Sequence, residues 1–268
     1  MNAPRPRALS IAGSDSGGGA GIQADLKTFG ALGVFGMTAI TAVTVQNTLG
    51  VFGYEALSPK IVGDQIRAVV TDIGVDAAKT GMLASAPIVE AVAGAVSETQ
   101  VPNLVVDPVF MSKHGHSLLA EDAVGALRDE ILPLATLVTP NLPEAIGLVG
   151  FEVSSRDLME DAAEAILALG ARAVLVKGGH LEGSERAEDV FFDGDRMVWI
   201  GAERIDTPHT HGTGCTLSSA IAAHLARGAE LLEAVEAGKA FVTEAIRAAL
   251  PLGRGIGPVD PLWSIRPP

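Results

Sequence analysis

The feature that most constrains the fold is an alternation along the chain, in which short β-branched apolar runs are followed by longer segments of helical periodicity. Such runs predict buried strands, and apolar residues that recur every three or four positions predict amphipathic helices. Strands that are separated by helices indicate βαβ units and a parallel sheet. We therefore expect an α/β fold with three layers, α/β/α, around a mostly parallel central sheet.

The predicted elements follow one another without a linker, a repeat or a low-complexity stretch. Buried strands are predicted for residues 8–12, 37–45, 75–79, 104–107, 137–139 and 173–177. Helices are predicted around residues 22–32, 61–73, 88–96, 124–131, 143–149, 158–169, 217–225 and 232–250. Two strand-like runs flank Asp193-Gly194 and indicate a small β-hairpin. Residues 1–268 are therefore expected to form a single domain.

Charge and cysteine content narrow the possible partners and compartments. The 268 residues include 32 acidic and 19 basic side chains, which gives a net charge of −13. Such a chain is repelled by nucleic acid and by anionic membranes, so neither is an expected partner. Cys215 is the only cysteine and cannot form an internal disulfide. With no signal-peptide layout and no apolar stretch of membrane-spanning length, a cytoplasmic location is expected.

Polar residues stand at the ends of three predicted strands. Asp107 and Lys177 end two of them, and Asn141 follows a third, with Glu144 just beyond it. The carboxyl ends of parallel strands are where open α/β sheets bind ligands. Carboxylates hold Mg²⁺ directly or through water, and a lysine neutralises a phosphate. Each residue alone is also a common turn or cap residue, but their joint placement predicts a metal–phosphate site.

The strongest local motif is the run His211-Gly212-Thr213-Gly214-Cys215, which directly precedes a predicted helix. Small residues at a helix start let its first unpaired N–H groups close around an anion. Charge that develops on a transferring phosphoryl group would be stabilised there. An ordinary glycine-rich entry into a helix would have the same spacing, so the motif alone leaves both interpretations open.

A second glycine cluster, residues 13–21, also lies between a predicted strand and a predicted helix. Its Gly19-x-Gly21-x-x-Ala24 spacing matches a loose dinucleotide-binding fingerprint, which raises the alternative of a Rossmann oxidoreductase. The acidic residue expected about 20 positions later is missing, because residues 38–49 contain no Asp or Glu. The chain also lacks the G-x-x-x-x-G-K-[ST] pattern, so an ATP site would not be of the Walker type.

Taken together, these segments resemble the hydroxymethylpyrimidine/phosphomethylpyrimidine kinases of thiamine biosynthesis, within the ribokinase-like superfamily. The resemblance spans nearly the whole chain and is carried by residues 11–29, 41–48, 79–83, 106–109, 139–145, 177–180, 210–218 and 255–259. Residues 11–29 and the Thr-His-Gly-Thr-Gly-Cys run are the specific parts. Two positions depart from the usual pattern: Thr80 replaces an isoleucine, and His209 replaces an asparagine.

The resemblance implies an activity and its partners. The reaction would be ATP-dependent phosphorylation of 4-amino-5-hydroxymethyl-2-methylpyrimidine, and then of its monophosphate to the diphosphate, with Mg²⁺ and ATP as cofactors. A homodimer is expected. A pyridoxine/pyridoxal kinase is the nearest alternative, because it shares the fold and also phosphorylates a ring hydroxymethyl. A non-catalytic nucleotide-binding module is a further alternative, disfavoured by the joint presence of Asp107, Lys177 and Cys215.

The resemblance also implies roles for individual residues. The pyrimidine pocket would be lined by Gly13, Asp25, Gln46, Met82, Val109 and His211. The nucleotide phosphates and Mg²⁺ would be bound by Asp107, Asn141 and Glu144, with Asp107 and Glu144 as the metal ligands. Catalysis would involve Lys177, in contact with the transferring phosphate, and an anion hole made by Gly212, Thr213, Gly214 and Cys215. Residues 110–119 would form a lid over the site.

Cys215 occupies the position at which related sugar kinases carry an aspartate base. A free thiol titrates near a pKa of about 8.5, and a helix N-terminus lowers that pKa by about a unit or more. We therefore expect a Cys215 thiolate that accepts the proton of the substrate hydroxyl. The alternative is that a small cysteine merely fits the tight turn.

Overall fold

A single mixed sheet runs through the part of the chain that the computed structural model describes, which is residues 5–110, 121–179 and 186–265. Its strands are β1 (Arg7–Ser14), β2 (Phe35–Asn47), β3 (Gly50–Ala56), β4 (Ala77–Thr80), β5 (Leu104–Val106), β6 (Leu137–Val138), β7 (Val174–Lys177), β8 (Arg186–Phe192) and β9 (Met197–Glu203). Their spatial order is β3-β2-β1-β4-β5-β6-β7-β8-β9. The six strands from β2 to β7 in that order are parallel, and β3, β8 and β9 are antiparallel. The predicted mostly parallel sheet and the hairpin β8–β9 are confirmed.

Helices cover both faces of this sheet. They are α1 (Gly21–Ala31), α2 (Pro59–Asp72), α3 (Ala86–Glu98), α4 (Glu121–Ala126), α5 (Leu142–Val149), α6 (Arg156–Leu167), α7 (Thr213–Ala226) and α8 (Leu231–Arg247). A π-helical turn (Leu127–Ile131) and a 3-10 turn (Leu132–Leu134) continue α4, and a 3-10 turn (Trp263–Ile265) lies near the end of the chain. Helices α1, α7 and α8 pack on one face, and α2 to α6 pack on the other. The predicted three-layer α/β/α architecture is confirmed, and a single domain over residues 1–268 stays a prediction.

The central strands are apolar throughout because helices bury both of their faces. In β1, Leu9 and Ile11 pack into the core shared with α2 and α3, whereas Ala8 packs into the core shared with α1, α7 and α8. Strands of a parallel sheet that is covered on both sides typically show such continuous apolar runs rather than alternation. This burial explains why the six parallel strands were recognisable in the sequence.

Strand β3 was not predicted from the sequence. It pairs antiparallel with the end of β2 and makes a second hairpin, at the opposite edge of the sheet from β8–β9. Most of β3 is exposed, including Phe52 and Tyr54, and it contains Gly50 and Gly53. A strand with so little buried surface lacks the apolar pattern on which prediction depends.

Thr80, one of the two departures from the usual family pattern, lies in the core with an unpaired hydroxyl. Its side chain is fully buried, and its Oγ1 has no hydrogen-bond partner among the described residues. Thr41 is equally buried, but its Oγ1 donates to the carbonyl oxygen of Met82 over 2.6 Å. A buried polar group without a partner costs about 1–3 kcal/mol. The hydroxyl of Thr80 therefore destabilises the fold.

We predict that Thr80→Val raises the free energy of unfolding by about 1 kcal/mol, because a methyl group replaces an unpaired hydroxyl of similar size. Thr41→Val is the matched control and should lower the free energy of unfolding, since it removes a hydrogen bond from the Met82 carbonyl. Urea unfolding followed by circular dichroism measures both. Equal destabilisation by the two substitutions would contradict the prediction.

Candidate active site

The polar residues predicted at the strand ends come together at the carboxyl edge of the sheet. Lys177, at the end of β7, donates from Nζ to Asp107 Oδ1 over 2.9 Å, and the same nitrogen lies 3.9 Å from Glu144 Oε2. The hydroxyl of Thr139 is 3.3 Å from the same oxygen of Asp107. Burial lowers the pKa of Lys177, but Asp107 and Glu144 outweigh burial and hold that pKa above its ordinary value. A positive charge is thus kept between two carboxylates.

Besides their predicted place in the metal–phosphate site, Asn141 and Glu144 cap the start of helix α5. Asn141 is the N-cap of α5, and its side chain accepts a hydrogen bond from the Glu144 N–H over 2.9 Å. Glu144 Oε2 accepts in return from the Asn141 N–H over 2.8 Å, which completes a capping box. Burial raises the pKa of Glu144 to about 7, with Lys177 opposing the rise and Asp107 adding to it. The capping box holds Glu144 beside Lys177. Asn141 and Glu144 can therefore be cap residues and also belong to the predicted metal–phosphate site.

The start of α7 lies against this charged pair. The N-cap is Gly212, whose φ of +83° favours glycine, and a Cβ there would collide with the Gly19 carbonyl oxygen. The first hydrogen bond within the helix runs from the Thr216 N–H to the Gly212 carbonyl, and the Thr213 N–H donates to the Thr210 carbonyl over 3.3 Å. Among the described residues, the N–H groups of Gly214 and Cys215 have no hydrogen-bond partner. A Cβ at Gly214 would be 3.3 Å from Asp107 Oδ2 and 3.6 Å from Lys177 Nζ. These two N–H groups and Lys177 thus lie in one small region.

Cys215 differs from the expectation. It is partly exposed in the first turn of α7, where the helix N-terminus was expected to lower the pKa of its thiol. Instead, burial raises the pKa of Cys215 to about 11; Lys79 opposes this rise, and the carboxylates of Asp25 and Asp107 add to it. The prediction of a thiolate is therefore wrong, because the effect of burial on the pKa is larger than the opposing effect of Lys79. At neutral pH Cys215 is a thiol.

A buried ion pair that the sequence analysis did not assign lies next to Cys215. Asp25 and Lys79 are both 0% exposed, and Lys79 Nζ is 3.1 and 3.2 Å from the two carboxylate oxygens. Asp25 also accepts from Ser10 Oγ over 2.5 Å and from Ser219 Oγ over 2.7 Å. Burial lowers the pKa of Lys79, but Asp25 and the other nearby acidic groups raise it overall. Asp25 was expected in the lining of the pyrimidine pocket; its side chain is fully buried in this ion pair, and its place in the lining stays a prediction.

Other residues expected in the pyrimidine pocket lie near one another in two pairs. A Cβ at Gly13 would lie 3.2 Å from Met82 Sδ, and Gln46 Nε2 lies 3.3 Å from His211 Nε2. Val109 is partly buried against the core that includes α2 and α3. Of the predicted lid, residues 111–119 lie outside the described part of the chain.

Asp15 is a site residue that the sequence analysis missed. Its carboxylate accepts backbone hydrogen bonds from Gly17 over 2.8 Å, Gly19 over 3.0 Å and Ala20 over 2.8 Å. Its Oδ2 is also 2.9 Å from His211 Nε2. Burial raises the pKa of Asp15, but His211 and the backbone donors lower it below its ordinary value. The only indication in the sequence was an acidic residue inside a glycine-rich loop.

His209, the second departure from the usual family pattern, binds the C-terminal segment. Its Nδ1 accepts from the Gly257 N–H over 3.0 Å. The same segment pairs with His211, which donates from its N–H to the Gly257 carbonyl over 3.1 Å and accepts from the Val259 N–H over 3.0 Å. The side-chain oxygen of an asparagine could accept the same hydrogen bond from Gly257. His209 therefore preserves the contact with the C-terminal segment that the usual asparagine could make.

Two further observations bear on the predicted partners. Within residues 5–110, 121–179 and 186–265, the structure has no helix with the length and apolar character needed to cross a bilayer. Within the same residues, no cluster of three or more His, Cys, Asp or Glu side chains is arranged to hold a metal ion. The cytoplasmic location stays a prediction.

A mostly parallel α/β sheet, with a lysine between carboxylates at its strand ends and a glycine-led helix start beside them, defines an α/β kinase without a P-loop. A sequence model described as phosphomethylpyrimidine kinase matches residues 15–260. Over 260 residues, the chain is 54% identical to a hydroxymethylpyrimidine/phosphomethylpyrimidine kinase of Streptomyces coelicolor, with coverage of 97% of this chain and 96% of that protein.

Solved structures agree with the sequence comparison. A Bacillus subtilis pyridoxal kinase in complex with ADP has a TM-score of 0.90 and 44% identity, with coverage of 97% of this chain and 98% of the other. A phosphomethylpyrimidine kinase from Clostridium difficile has a TM-score of 0.81 and 45% identity, with coverage of 90% and 100%. The chain belongs to the phosphomethylpyrimidine kinase family, and the predicted family and phosphotransferase class are confirmed.

We predict that iodoacetamide alkylates Cys215 slowly at pH 7, and that the rate rises about tenfold per pH unit towards pH 10, because only the thiolate reacts. The reason is the pKa of about 11 in the folded chain. Mass spectrometry should show at most one label, since Cys215 is the only cysteine. The urea-unfolded chain is the control and should react much faster at pH 7. Equal rates for folded and unfolded chain at that pH would show that the folded thiol is not protected.

Proposed function

We propose that this chain transfers the γ-phosphoryl group of ATP to the hydroxymethyl oxygen of 4-amino-5-hydroxymethyl-2-methylpyrimidine. It then phosphorylates the monophosphate to the diphosphate, within thiamine biosynthesis. The observation that carries this proposal is the start of α7 beside the Asp107–Lys177 pair. The Streptomyces coelicolor relative, at 54% identity, is named for both phosphorylations.

Phosphoryl transfer requires positioning and charge stabilisation more than covalent chemistry. Lys177 keeps its positive charge in the site, so it can neutralise the negative charge on the transferring group. The N–H groups of Gly214 and Cys215 donate to the same group, as an anion hole. Thr213 shapes the turn by donating from its Oγ1 to the Thr210 carbonyl over 2.8 Å.

The substrate hydroxyl has to lose a proton during the reaction. Cys215 cannot accept it as a thiolate at neutral pH, because its pKa is raised to about 11. In a loose, metaphosphate-like transition state the attacking oxygen has formed little of its bond to phosphorus and keeps its proton until late, so a strong base is not required. The proton then passes to an oxygen of the transferred phosphoryl group, as the bond between phosphorus and the ADP oxygen breaks. Cys215 therefore acts through its backbone N–H group and its small size rather than as a base.

Magnesium fits the residues at the strand ends. Mg²⁺ is usually held by one or two carboxylates together with waters and substrate phosphates, rather than by a complete protein cage. Asp107 and Glu144 are two such carboxylates, buried around the cation of Lys177. The described residues contain no three-ligand cluster, which suits an ion that arrives with the nucleotide. Asp107 and Glu144 would hold the metal and Asn141 would bind nucleotide phosphate, and the ion would supply charge neutralisation.

Pyridoxal phosphorylation is the second candidate activity. It is favoured by the likeness to the Bacillus subtilis pyridoxal kinase, with its TM-score of 0.90. Both substrates offer a hydroxymethyl group on a six-membered aromatic ring, so the phosphoryl-transfer residues would be the same. The higher identity to the pyrimidine kinase, 54% against 44%, favours the pyrimidine as the main substrate.

With Mg-ATP and the hydroxymethylpyrimidine, we predict that the monophosphate appears before the diphosphate in mass spectra. Lys177→Ala should lower kcat for both steps by about a hundredfold or more, because it removes a charge that acts on the transition state. The KM for the pyrimidine should change little, since Lys177 does not bind the ring. Pyridoxal is assayed in parallel.

Lys60→Ala is the matched control, because Lys60 is a surface lysine with 86% of its side chain exposed. It should turn over at the wild-type rate. Monophosphate that accumulates without diphosphate would refute the second phosphorylation, and faster turnover of pyridoxal would reverse the order of the two candidate activities. Full activity of Lys177→Ala would refute the assignment of the site.

We further propose that the chain forms a homodimer through the β2–β3 hairpin. Large apolar side chains are exposed on this hairpin, with Phe52 at 66% and Val45 at 64%, accompanied by Val43, Leu49 and Tyr54. Contiguous exposed apolar surface marks interaction sites in soluble proteins. Among the described residues, strand β3 is also one of the two edge strands of the sheet, and open edges are normally covered or blocked. A second copy of the same hairpin is an apolar partner of matching character.

We predict that Val45→Asp combined with Phe52→Asp converts a dimer into a monomer, because buried carboxylates at an apolar contact are costly. Multi-angle light scattering should report twice the chain mass for the wild type and the single chain mass for the variant. Phe151→Asp, at another exposed phenylalanine, is the control and should stay dimeric. A wild-type protein that is monomeric at high concentration would exclude the proposed dimer.

A further inference from the structure

A chain of polar contacts joins three segments that are far apart in the sequence. Asp15 lies in the glycine-rich loop after β1, His211 precedes α7, and Gln46 lies near the end of β2. Asp15 Oδ2 is 2.9 Å from His211 Nε2, and that nitrogen is 3.3 Å from Gln46 Nε2. Asp15 and His211 are only 3% and 7% exposed. Nothing in the proposed phosphoryl-transfer chemistry explains why these groups are buried together.

The geometry determines which atom of the Asp15–His211 contact carries the hydrogen. The carboxylate of Asp15 already accepts from three backbone N–H groups, those of Gly17, Gly19 and Ala20. A carboxylate held by three donors is ionised and can only accept. The lowered pKa of Asp15 agrees with this. The contact of 2.9 Å therefore requires a hydrogen on Nε2 of His211.

That hydrogen has a consequence for the side-chain amide of Gln46. An amide nitrogen is a donor and has no accepting lone pair, so it cannot face the Nε2–H group of His211. The two ends of a carboxamide are assigned from their hydrogen-bond partners. Thr44 Oγ1 lies 3.3 Å from the other end of the amide and donates its own hydrogen to the Ser14 carbonyl over 2.9 Å. The groups are compatible when the oxygen of Gln46 faces His211 and its nitrogen donates to Thr44. The single Nε2–H of His211 is then shared between Asp15 Oδ2, at 2.9 Å, and the oxygen of Gln46, at 3.3 Å.

In this arrangement one N–H of the Gln46 amide is used by Thr44, and the second is left for a ligand. We propose that His211, anchored by Asp15, is a positioning residue that holds the Gln46 amide as a hydrogen-bond donor to a ring nitrogen of the substrate. The proposal rests on the proposed function, in which Gln46 lines the pyrimidine pocket. His211 was expected to bind the substrate itself, and it is here assigned to orienting the residue that does.

The arrangement would favour a substrate with a nitrogen, rather than a C–H group, at one position of the ring. A pyrimidine nitrogen accepts a hydrogen bond from the fixed N–H of Gln46, whereas a C–H at the same ring position leaves that donor unpaired. An enzyme group built to bond a polar atom discriminates strongly against the analogue that lacks it. The imidazole of His211 therefore contributes to specificity without touching the ring.

The test compares the hydroxymethylpyrimidine with a pyridine analogue in which the ring nitrogen next to the amino-bearing carbon is replaced by C–H. The wild type should prefer the pyrimidine in kcat/KM by about tenfold to a hundredfold. His211→Phe keeps a ring but removes the donor, so kcat/KM should fall much more for the pyrimidine than for the analogue, and the ratio of the two values should fall towards one. His211→Gln retains an N–H at about the same reach and should keep most of the preference. His224→Phe, at the other end of α7, is the matched control and should leave the preference intact.

The outcomes separate the failure of this inference from the failure of the proposed site. If His211→Phe lowers kcat/KM for both substrates equally, His211 is only a packing residue and the inference is overturned. If Gln46→Ala keeps the full preference, Gln46 is outside the pocket and the proposed site is wrong. Should His211→Phe fail to fold, ¹⁵N NMR of the wild-type imidazoles provides an independent measurement. His211 with a hydrogen on Nε2 supports the inference, and an Nε2 without one overturns it.

Discussion

The buried ion pair between Asp25 and Lys79 is the interaction on which the rest of the site depends. Its hydrogen bonds connect Ser10 on β1, Asp25 on α1, Lys79 on β4 and Ser219 on α7, so four elements are held by one charged group. Removing one partner of such a pair is strongly destabilising, by about 3–5 kcal/mol, because it leaves an uncompensated buried charge. Since α7 begins at the active site, this pair also determines where the helix start lies relative to the strand ends.

The site contains a positively charged lysine, although the molecule as a whole is strongly negative. The chain has a net charge of −13, yet its proposed substrate and product carry phosphates. The proposed site supplies one lysine whose charge is maintained by two buried carboxylates. It also has the N–H groups of Gly214 and Cys215 at the start of α7, which have no partner in the described part of the chain. The same carboxylates are suited to Mg²⁺, which would restore neutrality when nucleotide is bound. Local structure rather than overall charge makes phosphate binding possible.

The glycine-rich loop after β1 contacts both the residues proposed for substrate recognition and those proposed for phosphoryl transfer. Gly212 approaches the Gly19 carbonyl so closely that a side chain would not fit, and Asp15 in the same loop contacts His211 directly before α7. A change in the loop would therefore move both the pyrimidine-facing residues and the start of α7. This coupling explains why the two most specific sequence motifs, far apart in the chain, are parts of one site.

The sequence by itself determined the three-layer architecture, the six parallel strands and the grouping of Asp107, Glu144 and Lys177, because burial patterns and strand ends are local properties of the chain. The strand β3, the full burial of Asp25, the protonated thiol of Cys215 and the contact between Asp15 and His211 were decided only by the tertiary structure. A pKa or a hydrogen-bond partner depends on the charges and donors that surround a group in space. For Cys215 those neighbours are Asp25, Lys79 and Asp107, which lie more than a hundred positions away in the sequence. Motif spacing carries no information about such distances, and only folding brings the groups together.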